Sequence, residues 1–415
     1  MHNLHQLIEQ YGPPDSLIDH WDSSSNRFAV WGFEEEFMIT NNGRCMLNGN
    51  RIDKPPMDAW QDALNSWKAY DGEMSAVGYV SYDMKNLLFP HIPFKNPNSS
   101  LPLLWFGKPK RVEAYEITEN GQYPAPILHL EKDIPLPTEY ETAICKIKTY
   151  LMNGDSYQIN FTQPKQFKLK ANPLDIYLSM RETVHPHYGV YLKIDKLNIL
   201  SFSPERFFCT LGRQIESFPM KGTRPRSADL IRDERLAGEL YHSEKDRAEH
   251  LMIVDLLRND IGKVCEYGSV NVEDLYGIHS FETVHQMVSR VYGKLQPSIS
   301  ETDIIKSLFP GGSITGAPKE RSMKIIDSLE EYQRGVYTGA LGYIQKNGDM
   351  DFNIGIRTMT IQGDIGIYPV GGGIVWDSVP LDEWQEAQQK SEIFSPYKYK
   401  PETEQRDLES ASLTY

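Results

Sequence analysis

The spacing of apolar and polar positions makes the start of the chain a series of strands joined by turns. Phe28-Ala29-Val30-Trp31 and Phe37-Met38-Ile39-Thr40 are β-prone runs, and Asn41-Asn42-Gly43 and Asn48-Gly49 supply hairpin punctuation. Met57 to Trp67 has helical spacing, and Ala76 to Tyr82 is a further strand. Phe89 to Pro102 and Gln122 to Pro137 are expected to be long connections. From Pro137 the pattern changes. Ala143, Ile144, Ile147, Tyr150 and Leu151 share one helical face, Gly154 closes that helix, and Tyr157 to Thr162 is a strand. Helices and strands then alternate to about Phe394 without a clean βαβ rhythm, and several strand pairs are close enough for hairpins. The pattern predicts an α+β fold with largely antiparallel sheets. It divides the chain into an N-terminal region 1–137, a main region 138–396 and a polar tail 397–415.

Composition narrows the class. The chain has 415 residues and a formal charge of −14, with 40% hydrophobic and 24% charged residues, which is globular and not disordered. The acidic balance argues against nucleic acid or an anionic membrane as partner. It leaves room for an anionic small substrate, because local cations and a metal overrule the global field inside a cleft. Cys45, Cys145, Cys209 and Cys265 are far apart, which suits neither a zinc framework nor a disulfide scaffold. Met1 to Gln6 has no basic or apolar targeting segment, and no apolar stretch approaches the ~20 residues that span a bilayer, so a reducing cytoplasmic compartment is expected.

Several segments carry chemistry. Ser243 with Asp246 three residues later has capping-box spacing, and Asp246 and Glu249 fall on one helix face. Asp246 either complements the helix dipole or binds a ligand. Glu249 abuts an apolar run, so it needs a partner, and a metal would serve. Glu383 and Glu386 repeat the spacing in Asp382-Glu383-Trp384-Gln385-Glu386. Two acidic faces converging would make a hard-oxygen site suited to Mg²⁺. Leu308 to Lys319 is a glycine loop entering a helix, with Pro318 placed for its first position. It fails P-loop spacing, because Ala317-Pro318 separates Gly316 from Lys319, so a carboxylate suits it better than a nucleotide phosphate. Gly371-Gly372-Gly373 allows a second close approach of backbone to ligand. Arg357, in a strand-like run, suits a carboxylate. Lys221 is pinned between Pro219 and Gly222 with Arg224 and Arg226 downstream and Glu205 upstream. Nearby cations or burial would favour its neutral, nucleophilic amine.

Together, Ser203 to Phe207, Lys221 to Arg226, Ala248 to Asp260, Phe309 to Lys319 and Gly371 to Val375 resemble the signature segments of the chorismate-utilising enzymes. The resemblance is dense from Gly154 to Phe394 and weaker before Pro137. It implies two orthogonally packed, largely antiparallel β-sheets flanked by helices, with chorismate bound between them. It implies Mg²⁺ held by Glu249 and Glu386, with Glu383 and Asp246 close by. Arg357 and Tyr337 would hold the enolpyruvyl carboxylate, and Thr315 with Gly371, Gly372 and Gly373 would line the cleft. His285 would sit beside the ring or serve as a satisfied structural residue. Within the family, anthranilate-forming members resemble Pro-x-Ala-Gly-Thr at Pro219 to Thr223, and members that aminate C4 on the way to p-aminobenzoate and folate resemble Pro-x-Lys-Gly-Thr, as here. On that likeness Lys221 and Glu205 would be catalytic and the chain a transferase. The anthranilate-forming component I is the alternative. Isochorismate and salicylate synthases are disfavoured, because Gly154 to Asn160 lacks their lysine. Ammonia would come from a separate glutamine amidotransferase subunit, since no cysteine here sits on a Gly-x-Cys-x-Gly elbow. Tryptophan is a candidate ligand of the N-terminal region, as in some relatives.

Overall fold

Two long strands, Arg27–Ile39 and Leu104–Glu116, run antiparallel and form the seam of the molecule. The structure, a computed structural model, describes residues 2–20, 27–68, 74–96, 100–116, 128–135 and 137–397. The two β-prone runs Phe28 to Trp31 and Phe37 to Thr40 are joined in one strand of 13 residues that ends at Ile39, because a register shift between Phe33 and Glu35 carries the pairing through the polar residues between them.

From one side of the seam, antiparallel pairing passes through Met74–Val80, Ala340–Gln345, Met350–Ile354, Arg206–Leu211 and Gln214–Ser217 to Val284–Lys294. That last strand also pairs with Met220–Pro225 and Asn271–Ser280. From the other side, pairing passes through Ser16–His20, Tyr188–Ile194, Leu197–Ser203, Thr358–Gln362 and Ile365–Ile374 to Gln158–Leu169. Tyr79, Trp105 and Leu341 of the first sheet pack against Val190, Leu192 and Ile199 of the second, so the two halves face each other. Helices cover the outer faces. Pro56–Trp67, Glu244–Gly262 and Glu301–Leu308 pack on the first sheet, and Pro173–Val184 and Pro380–Gln389 on the second. Pro137–Met152 and Lys319–Leu329 flank the Gln158–Leu169 edge. This is the expected α+β class with largely antiparallel sheets and flanking helices.

Strands on either side of residue 137 pair with one another, as Ser16–His20 does with Tyr188–Ile194 and Met74–Val80 with Ala340–Gln345. The expected connection Gln122 to Pro137 contains a strand, Leu128–Lys132, paired with Gln158–Leu169. Its start, and the tail beyond residue 397, lie outside the described residues.

The helix Glu244–Gly262 is held to its sheet by one apolar face. Ile253, Leu257 and Ile261 recur at helical spacing and are at most 6% exposed. Each such side chain contributes roughly 1.5–3 kcal/mol on burial. The apolar face clamps the helix to the sheet and thereby fixes the direction of its acidic face.

Candidate active site

Lys221 lies on the strand Met220–Pro225, which is interrupted by a one-residue register shift between Lys221 and Thr223. The inserted residue, Gly222, has φ +73°, a conformation that glycine adopts without strain. Opposite this bulge runs the Glu244–Gly262 helix. Its N-terminus is capped by the Ser243 hydroxyl, which accepts from the Asp246 N–H at 3.2 Å, as the spacing predicts. Lys221 Nζ stands 3.7 Å from Glu249 Oε2, and both side chains are about one-fifth exposed. The partner that Glu249 needs is therefore an amine in this structure. Asp246 instead accepts from Arg224 Nη2 at 2.9 Å.

Glu205, at the turn before the strand Arg206–Leu211, is partly buried and faces the same region. Burial pushes its carboxyl up to about 7, although a hydrogen bond from the Ser313 hydroxyl at 3.0 Å and the charge of Lys221 both pull it down. A carboxyl in that range exchanges protons near neutral pH. Ser313 is delivered by the glycine loop. A Cβ at Gly312 would lie 2.3 Å from Leu256 Cδ2, so glycine lets the loop close on the Glu249 helix. Thr315 is fully buried, and its hydroxyl donates to the Gly311 carbonyl at 2.9 Å, so it braces this loop. Lys319 is not free for an anion. Its amine donates to Asp260 Oδ2 at 2.6 Å and to the Leu308 carbonyl at 3.0 Å. Pro318 is the N-cap residue, one position earlier than its sequence context suggests.

The second acidic helix arrives through Gly371 to Gly373, which pair with Thr162, Phe161 and Asn160. A Cβ at Gly372 would lie 3.5 Å from Glu383 Oε2, Glu386 Oε1 and Lys390 Nζ, and one at Gly373 would lie 3.2 Å from Lys221 Nζ. The second acidic helix thus meets Gly372, and the first is linked to Gly373 through the Lys221–Glu249 pair. Glu386 is bonded by Lys390 at 2.6 Å. Burial would raise its carboxyl, but Lys390, with Lys221 and Lys245 beyond it, leaves it below the usual range. Glu383 moves the other way. Burial raises its carboxyl, Ser378 counters this, and the neighbouring Glu386 charge raises it further. Among the described residues, no three acidic, histidine or cysteine side chains form a ready metal cage.

One sequence expectation changes. Arg357 is not within a strand. It sits at a left-handed kink, φ +50°, between Met350–Ile354 and Thr358–Gln362, and is exposed. Its guanidinium has no hydrogen-bond or ion-pair partner among the described residues, so it remains available to an anion. Tyr337 is 6% exposed, and burial pushes its phenol above the usual range. His285 is 2% exposed, with Nδ1 2.8 Å from the Ser280 hydroxyl and Nε2 3.0 Å from Asp233 Oδ1. Asp233 also binds Arg226, which holds its carboxyl far below the usual range. Both ring nitrogens are therefore engaged in a structural cluster, one bulged step along the sheet from Lys221.

Three residues of the site carry no clear signal in sequence. Two are Ser313 and Lys390. The third, Gln158, is fully buried, neither amide atom has a partner among the described residues, and its nitrogen lies 2.9 Å from the Cβ position of Gly373. Alternation along Tyr157 to Thr162 groups it with Asn160 and Thr162 on the polar phase of the strand, so its burial leaves no mark in sequence. His250 is also buried, with Nε2 2.6 Å from the Ser289 hydroxyl. Burial, reinforced by the Lys221 charge, lowers its pKa to about 4, so the ring is neutral at ordinary pH.

A match to the chorismate binding enzyme family covers residues 18–396. The aminodeoxychorismate synthase component 1 of Bacillus subtilis is 43% identical over 252 residues, 61% of this chain and 54% of the relative. The match thus spans about half the length of that relative. The anthranilate synthase component 1 of Saccharolobus solfataricus is 34% identical over 328 residues, 76% of this chain and 78% of the relative. Among solved structures, anthranilate synthase component I from Streptococcus pneumoniae superposes with a TM-score of 0.76 at 26% identity, covering 88% of this chain and 91% of that one.

Proposed function

The chain belongs to the chorismate binding enzymes, and on that premise we propose that it aminates chorismate at C4, giving 4-amino-4-deoxychorismate as component I of an aminodeoxychorismate synthase. The observation that carries the reading is the placement of Lys221. Its amine lies between Glu249 and the Gly373 backbone, near a Glu205 carboxyl whose pKa is about 7. In the proposed sequence, Glu205 gives its proton to the C4 hydroxyl, which leaves as water while the Lys221 amine, having first released its ammonium proton to solvent, forms a bond to C2. Ammonia then bonds to C4 and expels Lys221, and Glu205 takes the proton that the new amine releases. Overall, chorismate and ammonia become aminodeoxychorismate and water.

Arg357 and Tyr337 would receive the enolpyruvyl carboxylate, Thr315 would hold the loop that carries Ser313, and Gly372 and Gly373 would let the ring approach the backbone. His285 would keep the Lys221 strand in register through Asp233 and Ser280. Mg²⁺ fits the donor set. The donors are carboxylates, the burial and the neighbouring Glu386 charge that raise Glu383 are what a cation offsets, and Mg²⁺ needs only one or two protein carboxylates beside water and substrate oxygens. Glu249 and Glu386 would hold it, with Glu383 beside them and Asp246 left to Arg224. Bound there, the ion would supply electron withdrawal through the ring carboxylate.

The ammonia would come from a separate glutamine amidotransferase. Burial raises the thiols of Cys45, Cys209 and Cys265, the opposite of what an activated nucleophile requires. Among the described residues no helix is long and apolar enough to cross a membrane, which is compatible with the cytoplasmic location we propose. The test is product analysis of the chain with chorismate, Mg²⁺ and an ammonium salt, read by chromatography with mass detection. Aminodeoxychorismate is expected, lost on chelation and in Lys221→Ala. Anthranilate as product would overturn the reading.

A further inference from the structure

A cavity of about 30 Å³ lies between the segment Tyr82 to Lys95 and the turn Glu330 to Arg334. Its lining includes Tyr82, Asp83, Lys85, Asp327, Glu330 and Arg334, with exposed Lys95 at one side. Carboxylates and cations are balanced there, and they are largely satisfied by one another. Lys85 Nζ lies 3.3 Å from Asp327 and 3.7 Å from Asp83, and Arg334 binds both oxygens of Glu330 at 2.7 and 2.8 Å. The exception is Tyr82. It is 2% exposed, and its hydroxyl has no hydrogen-bond partner among the described residues.

A net-neutral cavity of this size suits one small neutral molecule that both donates and accepts hydrogen bonds. Anions and cations each meet a group of their own sign. Water and ammonia satisfy the description equally. Position distinguishes this cavity from an ordinary internal pore. Glu330 accepts from the backbone N–H and hydroxyl of Thr162, and Arg334 donates to the carbonyls of Asn160 and Ile314. Thr162 and Asn160 are the strand partners of Gly371 and Gly373. The salt bridge that walls the cavity is therefore bonded to the strand segment that pairs with the glycines beside Lys221. The same segment carries further buried polar atoms without partners among the described residues, Asn160 Oδ1 and the Gln158 amide.

We propose that this cavity is a holding site for ammonia, from which it passes along the Asn160 and Gln158 segment to Lys221. The inference rests on the aminating function proposed above and specifies where its nitrogen donor is held. The test is steady-state kinetics of the full chain with an ammonium salt as nitrogen donor, comparing wild type with Tyr82→Phe. Because the Tyr82 hydroxyl bonds no group among the described residues, its removal is expected to leave the fold intact, which a thermal melt checks. The apparent KM for ammonium is expected to rise about two- to tenfold, the worth of one hydrogen bond, while the KM for chorismate stays unchanged. An aminating wild type whose ammonium KM is the same in the variant would mean that the cavity takes water alone, and would overturn this inference only. Equal rises in both KM values would overturn it too, as a general disturbance of the site. A wild-type chain that forms no aminated product would overturn the functional reading and this inference with it.

Discussion

Glu205→Gln separates proton chemistry from packing, because the amide keeps the shape and still accepts from the Ser313 hydroxyl. In the folded chain the Glu205 pKa is about 7, against 4.5 for the free side chain. A carboxyl raised on folding binds its proton more tightly in the native state. Its contribution to stability is complete below pH 4.5 and is lost as pH rises through about 7. The full loss is about 3 kcal/mol. Most of it falls between pH 5 and pH 8, and the glutamine variant does not suffer it. Wild type should therefore lose stability relative to Glu205→Gln by roughly 2–3 kcal/mol across that interval. Urea unfolding at four pH values from 5 to 8 reads this as a divergence of midpoints at constant slope. Turnover of the variant should fall by roughly 10²–10⁴ at every pH, the usual worth of a general acid. Two stability curves that stay parallel would refute the reasoning, since Glu205 would then ionise as freely in the folded chain as in the unfolded one.

The glycines make a contrasting pair. Gly371→Ala places a Cβ 2.0 Å from the Phe161 carbonyl oxygen and should destabilise the fold by several kcal/mol, or about 1–3 if neighbours give way, as read by thermal melts. Gly373→Ala meets only side chains, Gln158 at 2.9 Å and Lys221 at 3.2 Å, so turnover should fall tenfold or more, roughly the effect of misplacing a reacting group, with the melt little changed. Arg357→Ala breaks no hydrogen bond or ion pair among the described residues and should leave the melt within about 0.5 kcal/mol while raising the KM for chorismate. His285→Asn removes a ring bonded at both nitrogens and should cost about 1–3 kcal/mol in urea unfolding; a fully stable variant that has lost turnover would place the ring at the substrate instead.

Local features were legible in the sequence because they depend on neighbours. The Ser243 cap, the turn at Asn48-Gly49 and the helix after Pro137 all formed where spacing placed them. The chemistry-bearing residues were also legible as types. What the sequence withheld was long-range. The Ser313 hydroxyl reaches Glu205 across 108 residues, and Lys390 reaches the Gly371 carbonyl only because the Pro380–Gln389 helix folds back on its own preceding strand. Arg357 misled because apolar neighbours on both sides read as a continuous strand, whereas a left-handed residue ends one strand and starts the next. The charge of Lys319 was not legible either: sequence spacing shows only that it does not make a P-loop, whereas the fold pairs it with Asp260 on the far end of the Glu249 helix.

The division of labour between Asp246 and Glu249 shows how one backbone detail sets the chemistry. Both lie on one helix face, three residues apart, and sequence alone gives each a claim to the same metal. On the facing strand, Lys221 and Arg224 are also three residues apart. In a regular strand an odd separation would send these two cations to opposite faces. The bulge at Gly222 adds one residue between them, so both turn to the helix. A side chain at Gly222 would strike Leu240 at 2.8 Å and Asp246 at 3.0 Å, so the bulge is packed as closely as it can be. Arg224 then neutralises Asp246 at the helix start, and Lys221 is carried past it to Glu249, beside Gly373. Without the extra residue, either the arginine or the lysine would face away and one carboxylate would stand unpaired. The glycine in Lys221-Gly222-Thr223 thus supplies the geometry for the nucleophile proposed at Lys221, because it sets that amine beside Glu249 and Gly373.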